Sequence, residues 1–163
     1  MRVPMLFSLA ALRGLRTSMR LLATQPTLAE MTPGSPEMLA RANEVKARLG
    51  ERVLSPLEAS SFLMDEDADV VDVRTLEQAA AHEINGQAGR IIRGSSRVSL
   101  DAMVAGEEPS PPRERPLLLA CSRGPKSLVA LDYLSDKCAR VYTIDGGITA
   151  WDQAGLPTQD AGS

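Results

Sequence analysis

From Pro36 onward, short apolar runs alternate with stretches of helical spacing. Pro36 to Leu49 repeats apolar positions at Leu39, Ala42, Val45 and Leu49, one face of a helix that Gly50 stops. Arg52 to Leu54 predicts the start of a strand. Ser55-Pro56-Leu57-Glu58 is a capping box with proline at the first helical position, and predicts a helix to about Met64. Val70 to Val73 predicts a short apolar strand, followed by a second capping box at Thr75-Leu76-Glu77-Gln78. Leu117 to Ala120 predicts a buried strand that ends at Cys121, and Ser127 to Lys137 predicts a helix. Arg140 to Ile144 predicts another strand, Gly146-Gly147 a turn, and Ile148 to Ala154 a last helix closed by Gly155 and Pro157. Strands separated by helices predict an α/β fold around a mostly parallel sheet. Ala105 to Pro116 holds four prolines and predicts a surface loop.

Composition narrows the function classes. With 163 residues the chain has room for one domain and a modest extension. A net charge of -3, with no basic stripe, gives no reason to expect nucleic acid as a partner. No stretch reaches the ~20 apolar residues of a membrane span, so no membrane insertion is expected. Two cysteines, Cys121 and Cys138, and a single histidine, His82, offer neither a disulfide framework nor metal-ligand spacing. No metal and no cofactor is therefore expected, and a reducing compartment suits the thiols. His82 lies in a polar stretch and is expected to be exposed; Cys138 is expected to pack.

The first residues have a different character. Residues 1–29 carry Arg2, Arg13, Arg16 and Arg20 and no acidic residue before Glu30. On a helical wheel these arginines fall within an arc of about 60°, with Phe7, Ala11, Leu15 and Leu22 on the other side. This is the composition of an organellar transit peptide. It predicts mitochondrial import, with plastid as the alternative and secretion or the cytosol less favoured. The expected organisation is a transit peptide at 1–29, a linker and short helix at 30–50, a domain at 51–158 and a tail at 159–163.

The chemistry concentrates where an apolar strand meets a helix, in Cys121-Ser122-Arg123-Gly124-Pro125-Lys126-Ser127. Ligands of open α/β sheets bind beyond the carboxyl ends of the strands. A sulfur at that point faces the free N–H groups and positive dipole end of the next helix. Arg123 and Lys126 add two cations, and Gly124 lets the loop curl so that backbone N–H groups converge on an anion. An isolated cysteine after an apolar strand is more often a small buried hydrophobe. Two cations, a glycine and a helix start within six residues favour a nucleophile instead.

This segment, with Asp72-Val73-Arg74 and the tail Val141-Tyr142-Thr143-Ile144-Asp145-Gly146-Gly147-Ile148-Thr149-Ala150-Trp151 through Ala154-Gly155-Leu156-Pro157, resembles the rhodanese family over about residues 51–158. The resemblance implies a rhodanese-like three-layer α/β fold, a central mostly parallel sheet flanked by helices. It also implies a sulfurtransferase that carries a sulfane sulfur as a persulfide on Cys121, with a small sulfur donor such as thiosulfate and a thiol, cyanide or protein sulfur acceptor as partners. Ser122, Arg123, Gly124, Lys126 and Ser127 would then bind substrate, while Asp72 and Arg74 either pair structurally or brace the loop. Four residues separate Cys121 from Lys126, as in such sulfurtransferases; the related phosphatases and arsenate reductases have one more. A weakly active or inactive module of this family, acting as a sulfur carrier or partner-binding domain, is the alternative, and a phosphatase-like enzyme is less favoured. Three positions depart from the family pattern: Lys126 stands where Arg is common, Pro125 removes a loop N–H, and Gly89-Arg90-Ile91 has Arg90 where the family's Gly-His-Ile has histidine. Trp151 is expected to anchor the last helix.

Overall fold

A computed structural model describes residues 28, 31–107 and 114–161. The proposed transit segment lies outside the described residues but for Leu28, as do residues 108–113 of the proline-rich loop. In chain order the elements are α1 (Pro36–Arg48), a short 3-10 turn (Gly50–Arg52), β1 (Val53–Leu54), α2 (Pro56–Asp65), β2 (Asp69–Asp72), α3 (Leu76–Ala81), β3 (Glu83–Ile84), β4 (Gln87–Ala88), β5 (Arg90–Ile92), β6 (Ser96–Arg97), α4 (Leu100–Val104), β7 (Leu117–Ala120), α5 (Pro125–Ser135), β8 (Val141–Ile144), α6 (Gly147–Gln153) and β9 (Thr158–Asp160).

Side-chain caps fix where the helices begin. Ser35 Oγ accepts the Met38 N–H at 3.2 Å. Both capping boxes form: Ser55 N–H donates to Glu58 Oε2 at 2.8 Å, and Thr75 N–H donates to Gln78 Oε1 at 3.2 Å. Each box satisfies two N–H groups that the helix itself cannot pair.

The central sheet runs β1-β8-β7-β2-β6, and every neighbouring pair is parallel. Buried on both faces, β7 is a continuous apolar run, as parallel strands with helices on each side must be. Leu117, Leu119 and Cys121 enter one core, with Met38, Ala42 and Val45 of α1, Leu100 and Met103 of α4, and Leu128, Val129 and Leu131 of α5. Leu118 and Ala120 enter the other, with Ala59 of α2 and Ile148 and Trp151 of α6. The period-two alternation of one strand thus builds both interfaces of a three-layer α/β fold. Trp151 is buried there, its indole N–H donating to Pro157 O at 3.1 Å.

The domain is larger at both ends than the boundaries 51–158. α1, placed outside it by the sequence reading, lies on α5 and buries Met38, Ala42 and Val45 in the first core. At the other end β9 pairs antiparallel with β5 in the register Ile92↔Thr158, Ile91↔Gln159, Arg90↔Asp160. The cut at 158 therefore falls inside a strand.

Candidate active site

Strand β7 delivers Cys121 to its carboxyl end, and the chain must then reverse into α5. Gly124 makes the turn at φ 112°, a conformation that side chains disfavour, and Pro125 opens the helix. The helix therefore begins two residues before the Ser127 start predicted from sequence. The turn brings the Gly124 N–H back onto Cys121 Sγ at 3.1 Å. Ser127 Oγ lies 3.5 Å from the same sulfur, 2.9 Å from Gly124 O and 2.7 Å from Thr143 Oγ1 of β8. Ser127 has one hydroxyl proton, so it donates either to Gly124 O or to a sulfur anion, while Thr143 supplies the bond it accepts. Cys121 is buried at 3% exposure.

Behind the loop, Gly146 and Gly147 allow α6 to approach backbone to backbone. The Ile148 N–H donates to Cys121 O at 2.8 Å, and Thr149 N–H donates to Ser122 O at 3.1 Å. A Cβ on Gly147, whose φ is +63°, would sit 2.3 Å from Cys121 O. The Gly-Gly pair that looks like a turn in the sequence is what holds the Cys121 loop in place.

Asp72 and Arg74 form a fully buried fork, each 1% exposed: Arg74 Nε to Asp72 Oδ1 at 2.9 Å and Nη2 to Oδ2 at 2.8 Å. Arg74 also donates to Arg90 O and contacts His82 Nδ1 at 3.2 Å. A guanidinium only donates, so Nδ1 accepts and the His82 proton sits on Nε2. That proton goes to Thr149 Oγ1 at 3.1 Å, and the threonine proton goes to Ser122 O at 2.9 Å. A chain of hydrogen bonds therefore links the buried ion pair to the Cys121 loop through His82.

His82 is the correction here. Half-buried beside Cys121, it is not the exposed residue its polar neighbours suggest. Burial, Arg74 and Arg123 hold its pKa below the ordinary value, against an opposing pull from Asp72. Arg90, set by sequence at the family's histidine position, points away and binds Thr158 and Asp160. No local signal identifies His82, since its partner Thr149 lies 67 residues along the chain.

The two loop cations differ. Arg123 is exposed and makes no ion pair among the described residues. Lys126 is buried, its ammonium donating to Gln78 Oε1 at 2.9 Å, with Asp101 at 3.8 Å. Burial lowers the Lys126 pKa, and Asp101, Cys121 and Asp72 oppose that shift. The capping residue Gln78 thus also orients a cation of the site.

A cavity of about 610 Å³ opens over Cys121. Its lining includes the polar residues Arg74, Gln78, His82, Ser122, Arg123 and Lys126, together with Pro33, Gly34, Met38 and Leu39. Among the described residues no group of three or more His, Cys, Asp or Glu is placed to hold a metal, and no helix is long and apolar enough to cross a membrane.

No family model matches the chain. Among solved structures, a protein of unknown function from Rhodopseudomonas palustris, described as a possible tyrosine phosphatase, is 19% identical with a TM-score of 0.58, over 75% of this chain and 93% of that one. A rhodanese-like domain protein from Staphylococcus aureus is 21% identical with a TM-score of 0.51, over 67% of this chain and 99% of that one. A rhodanese homolog from Thermus thermophilus is 31% identical over 61% of this chain and 99% of that one, with a TM-score of 0.47. The parallel sheet and the cysteine loop at its carboxyl edge define a rhodanese-like α/β domain. In fold, the chain is similar to rhodanese-like domain proteins.

Proposed function

We propose that this protein is a sulfurtransferase that moves a sulfane sulfur from a donor such as thiosulfate to a thiol or cyanide through a persulfide on Cys121. The observation that carries the reading is the tight closure of the loop, with the Gly124 N–H 3.1 Å from Cys121 Sγ. A cradle drawn onto a single sulfur suits a sulfur atom better than a tetrahedral oxyanion.

In the first half-reaction the Cys121 sulfur bonds to the outer sulfur of thiosulfate, the thiosulfate S–S bond breaks, and sulfite leaves with the electron pair. The Gly124 N–H and the Ser127 hydroxyl hold the Cys121 sulfur, and the terminal persulfide anion, one bond further out, is stabilised by the positive amino end of α5. Arg123 and Lys126 balance the charge of the donor. In the second half-reaction a thiolate or cyanide attacks the terminal sulfur, and the Cys121 thiolate leaves. Asp72, Arg74 and His82 hold the loop without taking part in bond exchange.

The likeness to a possible tyrosine phosphatase gives a second reading a specific basis. Four residues between Cys121 and Lys126 count against it. Assays of thiocyanate formation from thiosulfate and cyanide, and of p-nitrophenyl phosphate hydrolysis, separate the two. Thiocyanate with no phosphate release is the expected outcome; phosphate release lost in Cys121→Ser would replace this reading with a phosphatase. The proposal also places the protein in mitochondria by way of residues 1–29. A reporter fused to them should reach that organelle and stay in the cytosol when Arg13, Arg16 and Arg20 are changed to Ala; delivery to plastids or the secretory pathway would contradict it.

A further inference from the structure

The segment that carries His82 grips α6 twice. His82 Nε2 reaches Thr149 Oγ1 at 3.1 Å, and three residues further along each element Asn85 Nδ2 donates to Asp152 Oδ2 at 2.7 Å. Thr158 Oγ1 lies 3.4 Å from the other Asp152 oxygen, and Asp152 makes no ion pair among the described residues. The contact at residue 85 needs an amide, because an ionised carboxylate only accepts. A glycine follows directly. Asn85 and Gly86 are the two turn residues between β3 and β4, at φ 53° and 77°, the left-handed pair that such a hairpin requires, and both are exposed to water.

We propose that Asn85 is a site of hydrolytic deamidation, and that its conversion releases the β3–β4 hairpin from α6. The Gly86 backbone nitrogen bonds to Asn85 Cγ, the Cγ–Nδ2 bond breaks, and the Gly86 proton leaves with that nitrogen as ammonia. Water then opens the resulting succinimide at either carbonyl, giving aspartate or isoaspartate. Nothing crowds the approach, since the side-chain position of Gly86 is open space. Ring closure needs the turn to open, and β3 and β4 have only two residues each, while a two-stranded ribbon is at best marginally stable. The bond to Asp152 therefore slows the reaction while it holds and is destroyed by it. The product sets a carboxylate against Asp152, exchanging a hydrogen bond to a charged group for like-charge repulsion. Isoaspartate also lengthens the main chain inside a two-residue turn. This inference is independent of the sulfur-transfer reading, and it bears on the active site because His82 adjoins β3 and Thr149 lies on α6.

The chain supplies its own control. Its other asparagine, Asn43, is also exposed but lies within α1 and precedes Glu44. The full chain is held at mildly alkaline pH, digested at intervals and mapped by mass for replacement of an amide by an acid, with the aspartyl and isoaspartyl peptides separated. Asn85 is expected to convert while Asn43 stays intact. No conversion at Asn85, or equal conversion at Asn43, would overturn the site. Release of the hairpin is read from hydrogen exchange at the Gly89 N–H, which donates to His82 O at 3.1 Å and closes the hairpin. In Asn85→Asp that exchange is expected to be at least about tenfold faster, the worth of one hydrogen bond to a charged group. Adding Asp152→Asn should restore slow exchange, because amide and carboxylate have then changed places. Unchanged exchange in Asn85→Asp, or fast exchange that Asp152→Asn leaves in place, would overturn the release.

Discussion

Lys126 carries its charge inside the fold, and its position has a pH signature. Because burial lowers its pKa, the ammonium is lost at a lower pH than an ordinary lysine, near ~10.4, would lose it. The rate of Cys121 persulfide formation from thiosulfate should therefore fall on the alkaline side below that value. Lys126→Arg, which stays charged, should move this limb to higher pH; superimposable profiles would assign Lys126 a purely structural role. His82 acts on stability. Its folded pKa lies below the ordinary ~6.5, so the unfolded chain binds more protons between the two values. Its contribution is complete above ~6.5 and is lost as pH falls from there through the lowered folded value. His82→Gln should flatten that acid slope in urea unfolding followed between pH 7.5 and 5, whereas an unchanged slope would place the titration elsewhere. Cys121 and its two cations stood out in the sequence because they are adjacent. His82 did not, because Arg74 and Thr149 give it its role.

At the scale of elements, the loop depends on a neighbour as much as on itself. α6 reaches the Cys121 loop only because Gly147 has no side chain. Gly147→Ala places a methyl against Cys121 O in a left-handed backbone, a combination that costs on the order of 1–3 kcal/mol. Persulfide formation should fall further than that loss of stability accounts for, since the Ile148 and Thr149 N–H bonds to the loop are displaced. Full activity in a folded Gly147→Ala protein would show that the loop keeps its shape unaided. Elements with caps or apolar runs were legible: both capping boxes, β7, β8 and the helix after Cys121 stand near where the pattern puts them. β3, β4 and β6 have two residues each and no period to read; β6, Ser96–Arg97, is polar and exists because β2 offers it a parallel edge. Asp72-Val73-Arg74 showed that a pair was available, and only the sheet shows that it is buried.

For the whole molecule, the α/β class and the placement of the cysteine at a strand's carboxyl end followed from the alternation of elements. The extent of the domain did not, because a helix separated from the next strand by Gly50 reads as an appendage until its packing is seen. α1 closes one core and walls the active-site cavity. Each of Met38 and Val45 contributes roughly 1.5–3 kcal/mol of burial, against a total stability of about 5–15 kcal/mol for a domain. Removing residues 1–50 should therefore lower the urea midpoint sharply or prevent folding, and an unchanged midpoint would show that α1 is dispensable to the core. The central claim, that Cys121 carries the sulfur, is tested most directly by intact-mass spectrometry of the protein after incubation with thiosulfate, followed by peptide mapping. The account predicts a gain of one sulfur atom, located on Cys121, removed by cyanide and absent from Cys121→Ser. No gain in mass, or a sulfur located on Cys138, would contradict it.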